Sequence, residues 1–99
     1  MTIHKNFEPI RGANQVTTPA AVAASVNLTR KSKSVRLVNT GGNICHVRIG
    51  EGAQTATTAD MPVAAGTEII VSKAETDEIL SHISAGGTTL HVQEGHAGT

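Results

Sequence analysis

The stretch Ser34-Val35-Arg36-Leu37-Val38-Asn39-Thr40-Gly41-Gly42-Asn43-Ile44-Cys45-His46-Val47-Arg48-Ile49 decides the fold class. Val35 and Leu37 alternate with Ser34 and Arg36. Beyond the glycine pair, Cys45, Val47 and Ile49 alternate with His46 and Arg48. A period of two places each set on its own face of a pleated strand, whereas a helical face recurs every 3.6 residues. Two half-buried antiparallel strands follow, over 34–39 and 43–50. The glycine pair between them supplies the backbone freedom of a tight turn, so the two are expected to form a hairpin.

The same pattern spreads outward in both directions. Thr89-Leu90-His91-Val92-Gln93 points Leu90 and Val92 inward and Thr89, His91 and Gln93 outward. Ala85-Gly86-Gly87 precedes it, predicting a second hairpin between strands at 78–84 and 88–94. Thr67 to Ser72 is a more continuous β-branched run and reads as a more buried strand. Between Ala20 and Leu28, Val22, Ala24, Val26 and Leu28 alternate after Pro19, which favours a strand over an alanine-rich helix. Residues 51–66, rich in Ala, Thr and Gly, read as a surface loop with a short edge strand near Gln54 to Thr58. Ala74 to Glu78 is too short to form a helix of consequence. Short strands at this spacing predict an all-β domain, a small antiparallel β-sandwich or jelly-roll-like barrel with an irregular N-terminal arm. Residues 1–14 read as that arm or as a first edge strand, 15–95 as a single β domain and 96–99 as a flexible tail.

Composition narrows the function. Ninety-nine residues make one domain, and eight Lys and Arg balance eight Asp and Glu. That balance argues against the one-signed field used for nucleic acid or anionic membranes. No apolar run approaches the ~20 residues of a membrane-spanning helix. The start, Met1 to Asn6, lacks the apolar segment of a secretory signal, so synthesis and retention in a cytoplasm are expected. The single cysteine excludes an intrachain disulfide framework. Thirteen Ala and nine Val against four Leu and one Phe make a core of small side chains, for which neighbouring subunits are a plausible support.

Catalytic and metal chemistry find little footing. Five histidines raise the question of a metal, and His46, His91 and His82 are the candidates to share a face. There is no His-x-His pair, however, and Cys45 alternates away from His46. The same alternation prevents His46 from activating the Cys45 thiol, which reads as a small buried hydrophobe. No serine lies in a nucleophile turn, and no Gly-rich phosphate loop precedes a helix. No enzyme activity, cofactor, metal or small-molecule substrate is expected.

Contact surfaces remain. Arg30, Lys31, Lys33 and Arg36 place four cations in seven residues, without the aromatic residues that single-stranded nucleic acid would stack on. They read either as an ordinary solvated loop or as a contact for an acidic surface. The acidic partner would be Glu75, Asp77 and Glu78 of a second copy, or another protein. Such charge matching steers assembly more than it adds affinity. Ile3, Phe7 and Ile10 lie in the N-terminal stretch, where Phe7 is either a core residue closing the barrel or the anchor of an extended arm.

Three runs together resemble a known group. They are Val35 to Asn43 with His46-Val47-Arg48-Ile49-Gly50, then Asp60 to Glu68, then Gly86 to Gly95. In that order they resemble small structural proteins from the head-gene region of tailed bacteriophages, among them jelly-roll capsid cement, or decoration, proteins. The resemblance covers residues 34–95, roughly two-thirds of the chain. It implies a virion protein on the capsid surface whose partners are the major capsid protein and further copies of itself. It implies no catalytic residue. Alternatives are a tail or head–tail accessory protein, or a host-binding module displayed on the virion with ligand contacts at the 51–66 loop and hairpin tips.

Overall fold

The strands expected from alternation are present in a computed structural model that describes residues 7–97. There are eight: β1 (Phe7–Thr17), β2 (Ala24–Asn27), β3 (Ser34–Asn39), β4 (Cys45–Gly50), β5 (Met61–Val63), β6 (Glu68–Ser72), β7 (Ile79–Ile83) and β8 (Leu90–Ala97). Among the described residues there is no helix. Two four-stranded sheets form, one in the order β1-β8-β3-β6 and the other β2-β7-β4-β5.

The pairing is nested. β4 pairs with β5, β3 with β6, β2 with β7 and β1 with β8, each antiparallel. The chain therefore runs as one long hairpin whose tip is the β4–β5 connection, wrapped so that successive pairs fall in alternate sheets. This is the strand order of a jelly roll, which decides between the two β architectures left open by the sequence.

Inward-facing residues of both sheets build the core. Val35, Leu37, Leu90 and Val92 come from one sheet and Cys45, Val47 and Leu80 from the other, with Leu28 and Val63 at the margins. Each is at most 2% exposed. Parity along β3, β4 and β8 is as alternation predicts.

Several expectations are corrected. Both glycine turns join strands of different sheets, so neither closes a hairpin. At Gly41 the requirement is close approach, since a Cβ there would lie 2.7 Å from the Thr89 nitrogen and strike the Thr88 hydroxyl. The β6 run is an edge strand, with Ile70 37% exposed and only Ile69 and Val71 packed on the core. The Gln54–Thr58 segment forms no strand. It lies over the second sheet, where Ala56 is buried and its N–H donates to Ser81 Oγ at 2.9 Å. Within 20–28 only Ala24–Asn27 is a strand, and Val22 is 80% exposed.

From Phe7 onward the first fourteen residues belong to β1, at the edge of its sheet. Phe7 to Pro9 pair with Ala97 to Gly95, and Asn14 to Thr17 pair with Gln93 to Leu90. The residues between form a bulge around Gly12, whose φ of 75° favours glycine. β8 runs on through His96 to Ala97, into the stretch read as a tail, because β1 supplies it with a partner.

Candidate functional site

Connections alternate between the two ends of the sandwich, so the loops divide into two sets. One end carries the 18–23, 40–44, 64–67 and 84–89 connections. They are cross-tied by Thr40 N to Thr89 O at 3.0 Å, Gly66 N to Asn39 O at 2.8 Å and Thr88 N to Pro19 O at 3.0 Å. The other end carries 28–33, 51–60 and 73–78, and there the two charged clusters meet.

A polar framework beneath the 28–33 turn positions its cations. Leu28 N donates to Glu78 O at 2.7 Å, and Lys73 N donates to Lys33 O at 2.9 Å. Lys73 Nζ reaches the Ser32 carbonyl at 2.6 Å. Glu94, 1% exposed, accepts from the Arg30 N–H at 3.3 Å and from Ser32 Oγ at 3.1 Å through Oε1. With the backbone so held, Arg30, Lys31 and Lys33 are all exposed. Lys31 has φ 52°, the left-handed conformation that closes the turn.

The acidic turn is built differently. Asp77 N donates to Ala74 O at 3.0 Å, and the Asp77 carboxylate accepts from Ala74 N at 3.0 Å. Asp77 thus holds its own turn, while Glu75 and Glu78 project to solvent. Lys33 Nζ lies 3.9 Å from Glu75 Oε2, both well exposed, so the clusters face each other within one chain. The sequence reading opposed these two clusters across copies, and within a single chain they already face each other at this one pair. Pairs this exposed contribute about 0–1 kcal/mol and are easily exchanged. Between the turns lies a cleft of about 630 Å³ whose walls include Leu28, Lys31, Glu51, Glu75, Glu78 and Ile79.

Other candidates lie elsewhere. Arg36 stands on β3 and its guanidinium meets Glu68 of β6, away from the cleft. Ile10 is half-buried in the β1 bulge, and its carbonyl accepts from Gln93 Nε2 at 2.9 Å. The Phe7 backbone is paired in β1, and Ile3 lies outside the described residues. The three histidines do not converge: His82 points into the core beside Val47, while His46 and His91 sit in different sheets. Among the described residues no group of three His, Cys, Asp or Glu is arranged to hold a metal. Cys45 is buried, and burial pushes its thiol upward, away from nucleophilic use.

Two supporting residues escaped the sequence reading. Glu94 closes the expected 88–94 strand, and extending the Leu90–Val92 alternation by one step turns it inward. Asp60 falls in the stretch that reads as a surface loop. Its carboxylate accepts from Thr57 N at 2.7 Å and Arg48 Nε at 3.0 Å, which hold it below the usual carboxylate range. That grip fixes the base of the 51–60 loop.

No protein-family model matches the chain, and no curated protein matches it. Among solved structures it is similar to a chain described under "Bacillus endospore appendages form a novel family of disulfide-linked pili". That likeness has a TM-score of 0.49 and 14% sequence identity, covering 87% of this chain and 84% of the other.

Proposed function

We propose that this chain is a non-enzymatic structural protein of a virion, a cement or decoration protein that binds an assembled phage head and stabilises contacts between major capsid subunits. The observation that carries this reading is the convergence of both charged turns at one end, on a polar framework that leaves Arg30, Lys31, Lys33, Glu75 and Glu78 facing solvent. It is supported by the jelly-roll strand order and by where the phage-like runs fall, on β3–β4, on β5 with the start of β6, and on β8.

Mass action supplies the mechanism. A protein that binds the assembled shell but not its separated subunits stabilises the shell by RT ln(1 + [L]/Kd) at each site. Many weak, repeated contacts then hinder separation of the lattice. Exposed charges that exchange partners easily suit such contacts, because they guide docking at little cost to the free protein.

The test is co-sedimentation with capsid shells lacking the protein. Saturable binding at a regular stoichiometry is expected. Replacing Arg30, Lys31 and Lys33 together with serine should lower occupancy and its salt sensitivity while shifting stability by about 1 kcal/mol or less. Unchanged occupancy at physiological salt removes this end from the interface. A wild-type chain that ignores the shells overturns the cement reading and leaves tail attachment or host binding to be tested at the 51–66 loop.

A further inference from the structure

Glu94 continues the inward-facing row of β8 beyond Leu90 and Val92, yet it is a carboxylate and only 1% exposed. A buried charge is costly unless it is paired. Among the described residues Glu94 has no cationic partner. Oε1 takes both of its hydrogen bonds, from the Arg30 N–H and from Ser32 Oγ, and Oε2 takes none. The Arg30 guanidinium bonds instead to the Gly12 carbonyl, at 3.4 Å. Among the described residues the one fully buried side-chain polar atom without a partner is His82 Nδ1, so Glu94 Oε2 is not sealed off.

The opening beside it is a pocket made by the β1 bulge. Between the Pro9–Gly95 and Asn14–Gln93 pairs, residues 10–13 of β1 stand opposite Glu94 alone, which parts the ladder at that point. The resulting pocket has a volume of about 210 Å³. Its walls include Gly12 and Gln15 of β1, Asn27 at the end of β2, Thr29 and Arg30 of the following turn, and Glu94. Gln15 Nε2 donates to Asn27 O at 2.6 Å and ties the edge strands of the two sheets together. Gln15 Oε1 and Thr29 Oγ1 have no hydrogen-bond partner among the described residues.

We infer that this pocket binds a primary ammonium group, with Glu94 Oε2 as the counter-charge and the Gln15 and Thr29 oxygens as neutral acceptors. Its volume is below the roughly 300 Å³ at which drug-sized sites begin, and suits one side chain or a small amine. A guanidinium pairs best as a fork on both carboxylate oxygens, and Oε1 is already committed to the turn. An ammonium is a compact charge with three rotatable donors, so one charged oxygen with neutral oxygens around it is enough. A hard metal ion takes six or more oxygens, commonly from several carboxylates, and Glu94 is the only acid lining the pocket. The ammonium is carried either by a free alkylamine or by a lysine side chain of another protein.

The test uses the isolated chain without shells, so its failure leaves the capsid reading standing. The protein is titrated with n-butylammonium while backbone amide shifts are followed, with ionic strength held constant by tetramethylammonium, which has no N–H to donate. Saturable shifts of the Arg30 and Ser32 amides are expected, with a Kd on the order of 1–10 mM. Glu94→Gln keeps an oxygen for the Arg30 N–H and Ser32 Oγ and places an NH2 group where Oε2 stood. It should keep the fold and weaken binding about tenfold or more. Ethylguanidinium should bind wild type about fivefold more weakly than butylammonium. N-acetyl-lysine methylamide binding as tightly as butylammonium assigns the site to a lysine of another protein, and binding of butylammonium alone assigns it to a free amine. No saturable shift below about 100 mM, a folded Glu94→Gln that binds as wild type does, or ethylguanidinium binding as tightly as butylammonium would overturn the proposal. The last comparison needs no variant and decides the matter should Glu94→Gln fail to fold.

Discussion

Asn39 ends β3 with its side chain fully buried, and every hydrogen-bonding group of its carboxamide is used. Nδ2 donates to Asn43 O at 2.9 Å and Val63 O at 3.0 Å, while Oδ1 accepts from Gly41 N at 3.1 Å and Thr88 Oγ1 at 2.6 Å. One residue thus ties three connections that lie far apart in sequence. Asn39→Ala leaves two carbonyls, a backbone N–H and a hydroxyl without these partners and should cost about 3 kcal/mol in denaturant unfolding. In the sequence Asn39 looks like an ordinary turn residue, because its partners near 63 and 88 are brought to it only by the completed fold. His82 was likewise illegible as a core residue. Its Nε2 lies 2.9 Å from Thr17 Oγ1, and Nδ1 has no partner. Burial pushes the ring below its ordinary value of 6.5. The unfolded chain then binds more protons than the folded one between that lowered value and 6.5. Stability should be level above about pH 6.5 and fall below it, by at most about 1.4 kcal/mol per pH unit. Thermal melts of His82→Leu should show a shallower loss over that window; an unchanged slope would assign the acid sensitivity to other groups.

Among the elements, β3 was legible to the residue and β4, β7 and β8 to within a few. Alternation reports which face of a strand is buried and is blind to which neighbour it pairs with. For that reason the strands around Gly41-Gly42 were found while their hairpin was not: a glycine turn between alternating runs looks the same whether it stays in one sheet or crosses to the other. Gly41 separates the two cases. Gly41→Ala would press a methyl group against the Thr88 hydroxyl and the Thr89 backbone. The crossover cannot relax without disturbing Thr88's bond to Asn39, so a loss of about 2–3 kcal/mol is expected, with a lowered melting temperature. Gly42 has open space around it, and Gly42→Ala should be nearly silent. The reading of β6 failed for a different reason. Three consecutive β-branched residues suggested burial on both faces, yet only Ile69 and Val71 face the core, and Ile70 stands on the exposed side.

At the scale of the molecule, nested pairing sorts the loops. Alternate connections fall at opposite ends, which is why turns some forty residues apart, at 28–33 and 73–78, bring their charges to one cleft. Sequence spacing showed that these residues would be exposed, but their meeting depended on strand order. Nesting also makes β8 the partner of both β1 and β3 at the centre of its sheet. Deleting residues 90–97 removes Leu90 and Val92 from the core and exposes an edge on each of two strands, so the shortened chain should lack a cooperative melt. There is a consequence for synthesis. A ribosome delivers β1 first and β8 last, and β1 has no partner until β8 emerges. The innermost pair, β4 with β5, forms early, but the sheet holding β1 and β3 can be completed only once β8 has emerged. A nascent chain of this protein is therefore an open ribbon until β8 emerges, and arrest at any codon before β8 leaves a product that proteases can recognise as unfinished.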